Sequence, residues 1–272
     1  MIIKNHKNKN QYVLADDIWV RNFTAKASPI SINDLDKSDK NLLLANELEN
    51  KKNNFIDAES QLKKADKVLI VSDGLEFETK HKIIDSLADD VQIVAVNKAL
   101  AKWNANKKVD LFFINNPYPE CEGFLPKNKV FPRCIASSRT NPNFLKKYRG
   151  PRYCYTPVKD TNFSGISYEY QVKLDDYRNP VCAAIAFAYT CGANKLFLLC
   201  CDDSFKEERP ASIKLENNLW SYEQQIKSQK IIDGQLYWLR QNEIKIGYNS
   251  FGIKMKHATY IELEGIRNFF EE

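Results

Sequence analysis

From Lys67 onward the chain sets short apolar runs between stretches of helical period, and that alternation predicts βαβ units around a parallel sheet. Val68 to Val71 reads as a buried strand, closed by the turn residues Ser72, Asp73 and Gly74. Ile83, Ile84 and Leu87 lie at helical spacing within Lys80 to Ala88, ahead of a second strand at Val91 to Val96. A short helix from Asn97 to Trp103 and a third strand, Val109 to Ile114, follow. Lys195 to Cys201 is the most continuous apolar run, the mark of a central parallel strand. Just before it, Asn179 and Pro180 can cap and start a helix that Gly192 stops. A long helical pattern from Leu215 to Asn242 precedes strands at Ile244 to Tyr248 and Thr259 to Leu263, and a helix at Ile266 to Phe270 closes the chain.

Two regions break this rhythm. Pro117 to Asp176 is rich in proline and aromatic residues and reads as an irregular connection, with short strands at Phe131 to Ala136 and Arg152 to Thr156. Residues 1–54 are polar and irregular, apart from a patch formed by Tyr12, Val13, Leu14, Ile18, Trp19, Val20 and Phe23. Such a patch needs cover, either from the chain's own domain or from a second subunit or protein partner. A helix is expected over 54–65. The division this suggests is an N-terminal arm over 1–54, packed on a Rossmann-like domain over 55–272. The fold class is α/β, a mostly parallel sheet flanked by helices.

Composition narrows the function classes. A hydrophobic share of 43% over 272 residues supports a substantial core. No apolar run of about 18 residues or basic-then-apolar start occurs, so neither a membrane span nor a secretory signal is expected, and the cytoplasm is the expected location. The balance of 40 basic and 35 acidic residues leaves no basic stripe for nucleic acid, while an anionic small molecule fits a net charge of +5. The seven cysteines fall largely in apolar runs, which suits reduced, buried thiols. With no C-x-x-C pair and only His6, His81 and His257, no metal site is expected.

Several strand ends, taken in order, resemble the sialyltransferase-like superfold, represented by bacterial family 42 sialyltransferases and the MptE-like 6-hydroxymethylpterin diphosphokinases. The likeness runs from about Lys67 to Leu263. It implies a nucleotide or nucleotide-sugar donor held at the carboxyl ends of the strands. Gly74 stands in the family's glycine loop, where a missing Cβ lets backbone amides approach phosphate; here one glycine remains, beside Asp73. Asn97 follows the second strand, as in the family, and either meets a ribose or base edge or caps the next turn. Asn116 with Pro117 resembles the family's Asn-Pro-Ser, with Tyr118 in place of serine. Asn179 opens the helix where the family has Thr-Ser-Gly.

For the chemistry, the resemblance aligns Asp203 with the family's aspartate, while the general-base histidine has no counterpart here. Glu223 and Tyr222 are the substitutes in that region, although a phenol of pKa about 10 is a weak base near neutrality. Glycosyl transfer in the family 42 pattern needs no metal. Pyrophosphoryl transfer needs Mg²⁺, which Asp202 and Asp203 together would hold unless they cap the next turn. Beside these two enzyme readings stands a third: a non-catalytic binding or structural protein that keeps the sheet.

Overall fold

The computed structural model describes residues 2–4, 12–14, 37–53, 55–74, 76–157, 172–174, 179–201, 232–237, 239–250 and 255–272. A hairpin pairs β1 (Ile2–Lys4) with β2 (Tyr12–Leu14). The rest of the strands form one sheet of ten: β3 (Ile56–Asp57), β4 (Lys67–Val71), β5 (Val91–Val96), β6 (Leu111–Ile114), β7 (Arg133–Ser137), β8 (Arg152–Pro157), β9 (Lys173–Leu174), β10 (Lys195–Leu199), β11 (Lys245–Asn249) and β12 (Thr259–Tyr260). Their spatial order is β12-β11-β10-β4-β5-β6-β7-β8-β3, with β9 also on β8, and every described pairing is parallel. The α/β class expected of the pattern is the class observed.

The central strands are apolar on both faces because both are covered. Val68 and Ile70 face one layer, which contains α4 (Pro180–Thr190) and the helix over 232–237 and 239–241. Leu69 and Val71 face the other, which contains α2 (Phe77–Lys80), α3 (Pro142–Lys147) and α6 (Ile266–Glu271). We number the helix over 232–237 and 239–241 α5. All four β4 side chains from Val68 to Val71 are fully buried, each contributing about 1.5–3 kcal/mol relative to exposure.

Helix α4 forms as its sequence dictates. Asn179 caps it by accepting from the Val181 amide at 2.9 Å, and Pro180 sits at the first helical position, where no amide partner is lost. Every residue from Val181 to Thr190 is buried, which explains a helix apolar on all sides. Gly192, at φ 84°, ends it, with its amide bonded to the Tyr189 carbonyl.

Four expectations need correction. The helix expected over 54–65 is instead β3 and a 3₁₀ turn at Ala58–Gln61, because Ile56 and Asp57 pair with β8 and Asp57 caps the turn through the Glu59 amide. The arm is not wholly irregular: α1 (Lys37–Lys52) runs through it. The described part of the segment expected to be irregular, residues 117–157 and 172–174, is more regular than that: the short strands expected there are β7 and β8 of the main sheet, with α3 between them. The helices after β4 and β5 are shortened, the first to α2 plus a 3₁₀ turn (His81–Ser86), the second to a 3₁₀ turn alone (Asn97–Lys102). All seven cysteines are buried.

Candidate functional site

After β4 the chain steps outward through β5, β6, β7 and β8, then returns to the opposite side of β4 for β10, β11 and β12. The winding therefore reverses between β4 and β10. In open α/β sheets the carboxyl ends of the strands diverge at such a point and leave a crevice. Because the strands are parallel, Gly74, Asn97 and Asn116, which follow β4, β5 and β6, share one edge. Three adjacent strands span about 10 Å. Asn179 reaches the same edge by another route. The Ala65 amide, just before β4 begins, bonds to the Cys191 carbonyl at the end of α4, so the start of that helix lies about 16 Å away at the carboxyl side.

This edge has two unlike halves. Over the ends of β6 and β7, α1 forms a cover. The Asn46 side chain donates to the carbonyls of Pro117 (2.8 Å) and Arg139 (3.2 Å). Asn50 does the same for Ser138 (2.9 Å) and Thr140 (2.7 Å). Glu47 and Arg139, both buried, form an ion pair at 3.1 Å, and the Tyr118 hydroxyl donates to Asp39 at 2.9 Å. Asn116 belongs to this covered half: its side-chain oxygen accepts from the Tyr118 amide at 2.8 Å, and its carbonyl accepts from the Asn141 amide. Its carboxamide oxygen thus shapes the Asn-Pro turn.

The other half, at β4, β5, β10 and β11, is differently built. Asn97 and Cys200, directly after β5 and β10, take the left-handed backbone conformation at φ 47° and 53°. Such strain collects where a side chain must be re-aimed. Among the described residues, buried polar atoms here lack hydrogen-bond partners: Asn97 Oδ1, and Asn249 Oδ1 and Ser250 Oγ at the end of β11, with Asn115 Nδ2 at the end of β6 on the border between the halves. An unpaired buried polar atom costs about 1–3 kcal/mol, so such a concentration calls for a reason. There are three further orphans: Ser138 Oγ and Asn50 Oδ1, which belong to the α1 contact, and Gln235 Oε1 on α5.

Gly74 lies in the crevice, but its backbone is engaged. Its amide donates to the Cys200 carbonyl at 3.0 Å, and its own carbonyl accepts from Phe77. Beside it, Asp73 meets Lys102 at 3.5 Å, with both side chains about one-third exposed (27% and 32%), so the negative charge brought to the glycine loop has a local counter-ion. At the start of α4, Asn179 and Pro180 leave the helix dipole but remove or occupy amides that an anion would use.

Asp203, Tyr222 and Glu223, with Asp202, lie outside the described residues. Among the described residues no group of three or more His, Cys, Asp or Glu side chains could hold a metal ion, and no helix is long and apolar enough to cross a membrane. Sequence reasoning chose Asn116 where its neighbour Asn115 carries the partnerless nitrogen; the doubled asparagine before Pro117 was the available signal. It also passed over Arg139 and Glu47, whose pairing across 92 positions leaves no local trace.

The fold is similar to that of MAf glycosyltransferase from Magnetospirillum magneticum AMB-1, with a TM-score of 0.52 and 15% identity over 75% of this chain. The match spans 35% of that larger protein's length. At this identity the likeness carries the fold alone, an α/β architecture. No family model and no curated protein matches the sequence.

Proposed function

We propose that the chain is a nucleotide-dependent glycosyltransferase that holds a nucleotide sugar at the open half of the carboxyl edge. The observation that carries this reading is the set of buried, partnerless groups at the ends of β5, β6 and β11, Asn97 Oδ1, Asn115 Nδ2 and Ser250 Oγ, beside the point where the winding reverses. They offer both donors and acceptors and no net charge, the chemistry of ribose hydroxyls and base edges. The start of α4 at Asn179 and the turn at Gly74 would approach the phosphates, and the glycosyltransferase-like fold supports the same reading. Within that fold, the order of Gly74, Asn97, Asn116 and Asn179 favours a sialyltransferase-like donor site. The arm over 1–54 is taken as part of this one unit.

In the transfer step the acceptor hydroxyl oxygen bonds to the anomeric carbon while the bond from that carbon to the phosphate oxygen breaks. The hydroxyl proton passes to a base, for which Asp203, Glu223 and Tyr222 are the candidates. Incubation with CMP-, UDP- and GDP-sugars, followed by chromatography of the released nucleotide, tests this. Consumption of one donor, insensitive to chelator and lost in Asp203→Asn or Glu223→Gln, is the expected result. Release of AMP from ATP only with Mg²⁺ would favour the diphosphokinase reading instead.

A specific observation supports a second reading, a binding protein without catalysis. The Gly74 amide is bonded to Cys200 and Asp73 is paired with Lys102, so the phosphate loop is closed on itself. Binding of a nucleotide with no turnover of any donor would favour it.

A further inference from the structure

A cavity lies away from the carboxyl edge, at the outer margin of the sheet. Strand β12 pairs Gly247 and Tyr248 of β11, so among the described residues the preceding Lys245 and Ile246 have no strand beside them on that side. The space left is a cavity of about 510 Å³, bounded by the end of α5, the start of β11 and α6. That volume falls in the range of small-molecule sites.

The lining has a definite polarity. Its floor is apolar, with Ile244 and Ile246 buried and Phe269 buried from α6. Its mouth carries the cations Arg240 and Lys245, with His257 beside them and Glu272 as the acid in the lining. Glu272 is held by Lys245 at 3.0 Å, and the Lys245 ammonium also lies 5.3 Å from the centre of the Phe269 ring. Arg240, exposed on α5, has no ion-pair partner among the described residues. An apolar floor with excess positive charge at the mouth is complementary to a molecule that has an apolar body and an anionic end.

We propose that this cavity binds a small amphipathic anion, an aryl or alkyl group bearing a phosphate or carboxylate, independently of the crevice at the carboxyl edge. Arg240 grips the anion, Lys245 exchanges Glu272 for it, and Ile246 and Phe269 take the apolar body. Phenyl phosphate is the first probe, with benzoate as the carboxylate arm and phenol as the uncharged control.

Calorimetric titration of the full chain tests the site. Saturable binding of phenyl phosphate or benzoate is expected, at least tenfold tighter than phenol. Arg240→Gln combined with Lys245→Gln should weaken it at least tenfold, and both positions are exposed enough for the variant to fold, checked by its melting curve. Asn115→Leu, which alters the carboxyl edge, should leave the binding unchanged. The proposal is overturned if neither anion binds up to about 10 mM, if the double variant binds as well as the parent, or if Asn115→Leu abolishes binding, which would place the probe in the crevice.

Discussion

The two halves of the carboxyl edge are made from the same parallel sheet and similar short polar loops, yet they differ in how their loops are held. Over β6 and β7, α1 brings Asn46 and Asn50 to four loop carbonyls and Glu47 to Arg139. Over β5 and β11, buried Asn97 Oδ1, Asn249 Oδ1 and Ser250 Oγ have no partner, and Asn115 Nδ2 marks the border. Asn50 Oδ1 and Ser138 Oγ are unsatisfied in the covered half as well, but the open half adds left-handed strand ends at Asn97 and Cys200, and it is this combination that the proposed guest would account for.

The largest effect should come from breaking the covered half. Glu47→Ala removes one buried carboxylate from the Arg139 guanidinium, an expected loss of about 1.5–3 kcal/mol in urea unfolding. Nucleotide affinity per folded molecule should stay as it was. The open half should respond with the opposite sign. Asn115→Leu removes an unsatisfied buried amide, so stability should hold or rise by about 1 kcal/mol while nucleotide affinity falls at least tenfold. Asn97→Gly sharpens the same point: glycine tolerates φ 47°, so stability should change by under about 1 kcal/mol while binding is lost.

Tyr148 is a useful contrast, a buried hydroxyl that does have a partner, the Pro132 carbonyl at 2.6 Å. Burial, with a smaller contribution from Cys134, raises its pKa well above the usual 10. Its neutral form is the one the fold favours, so its contribution is complete below the unfolded pKa and fades as pH rises above about 10. Unfolding midpoints measured from pH 8 to 11 should fall at the alkaline end, and Tyr148→Phe should flatten that fall. The smallest effect is expected at the exposed margin of α1. Lys146→Ala breaks a solvated pair with Glu49, whose carboxyl is held below its ordinary pKa mainly by the hydrogen bond from Lys146, and the urea midpoint should stay within the scatter of the parent's.

The sheet was legible because its strands are buried on both sides, and a run such as Leu196 to Leu199 needs no tertiary knowledge to read. Helix α4 was equally open, with Asn179, Pro180 and Gly192 marking both ends. What stayed hidden was polar. α1 buries Asn46, Glu47 and Asn50 beside Leu43, so it shows no apolar stripe, and its partners lie some 90 positions away. The strand ends at Gly74, Asn97 and Asn116 could be found from the pattern. Which of them keeps a side chain free for a guest could not, because Asn116 and Asn115 differ only in what surrounds them.

The most direct test of the guest is the melting temperature of the full chain with CMP, CDP, GTP and ATP, each with and without Mg²⁺. At least one nucleotide, at about one hundred times its dissociation constant, should raise the midpoint by about 5 °C or more. That rise should vanish in Asn115→Leu and persist in Lys146→Ala. No rise with any nucleotide, or the same rise in Asn115→Leu, would contradict the assignment of the open half as a nucleotide crevice.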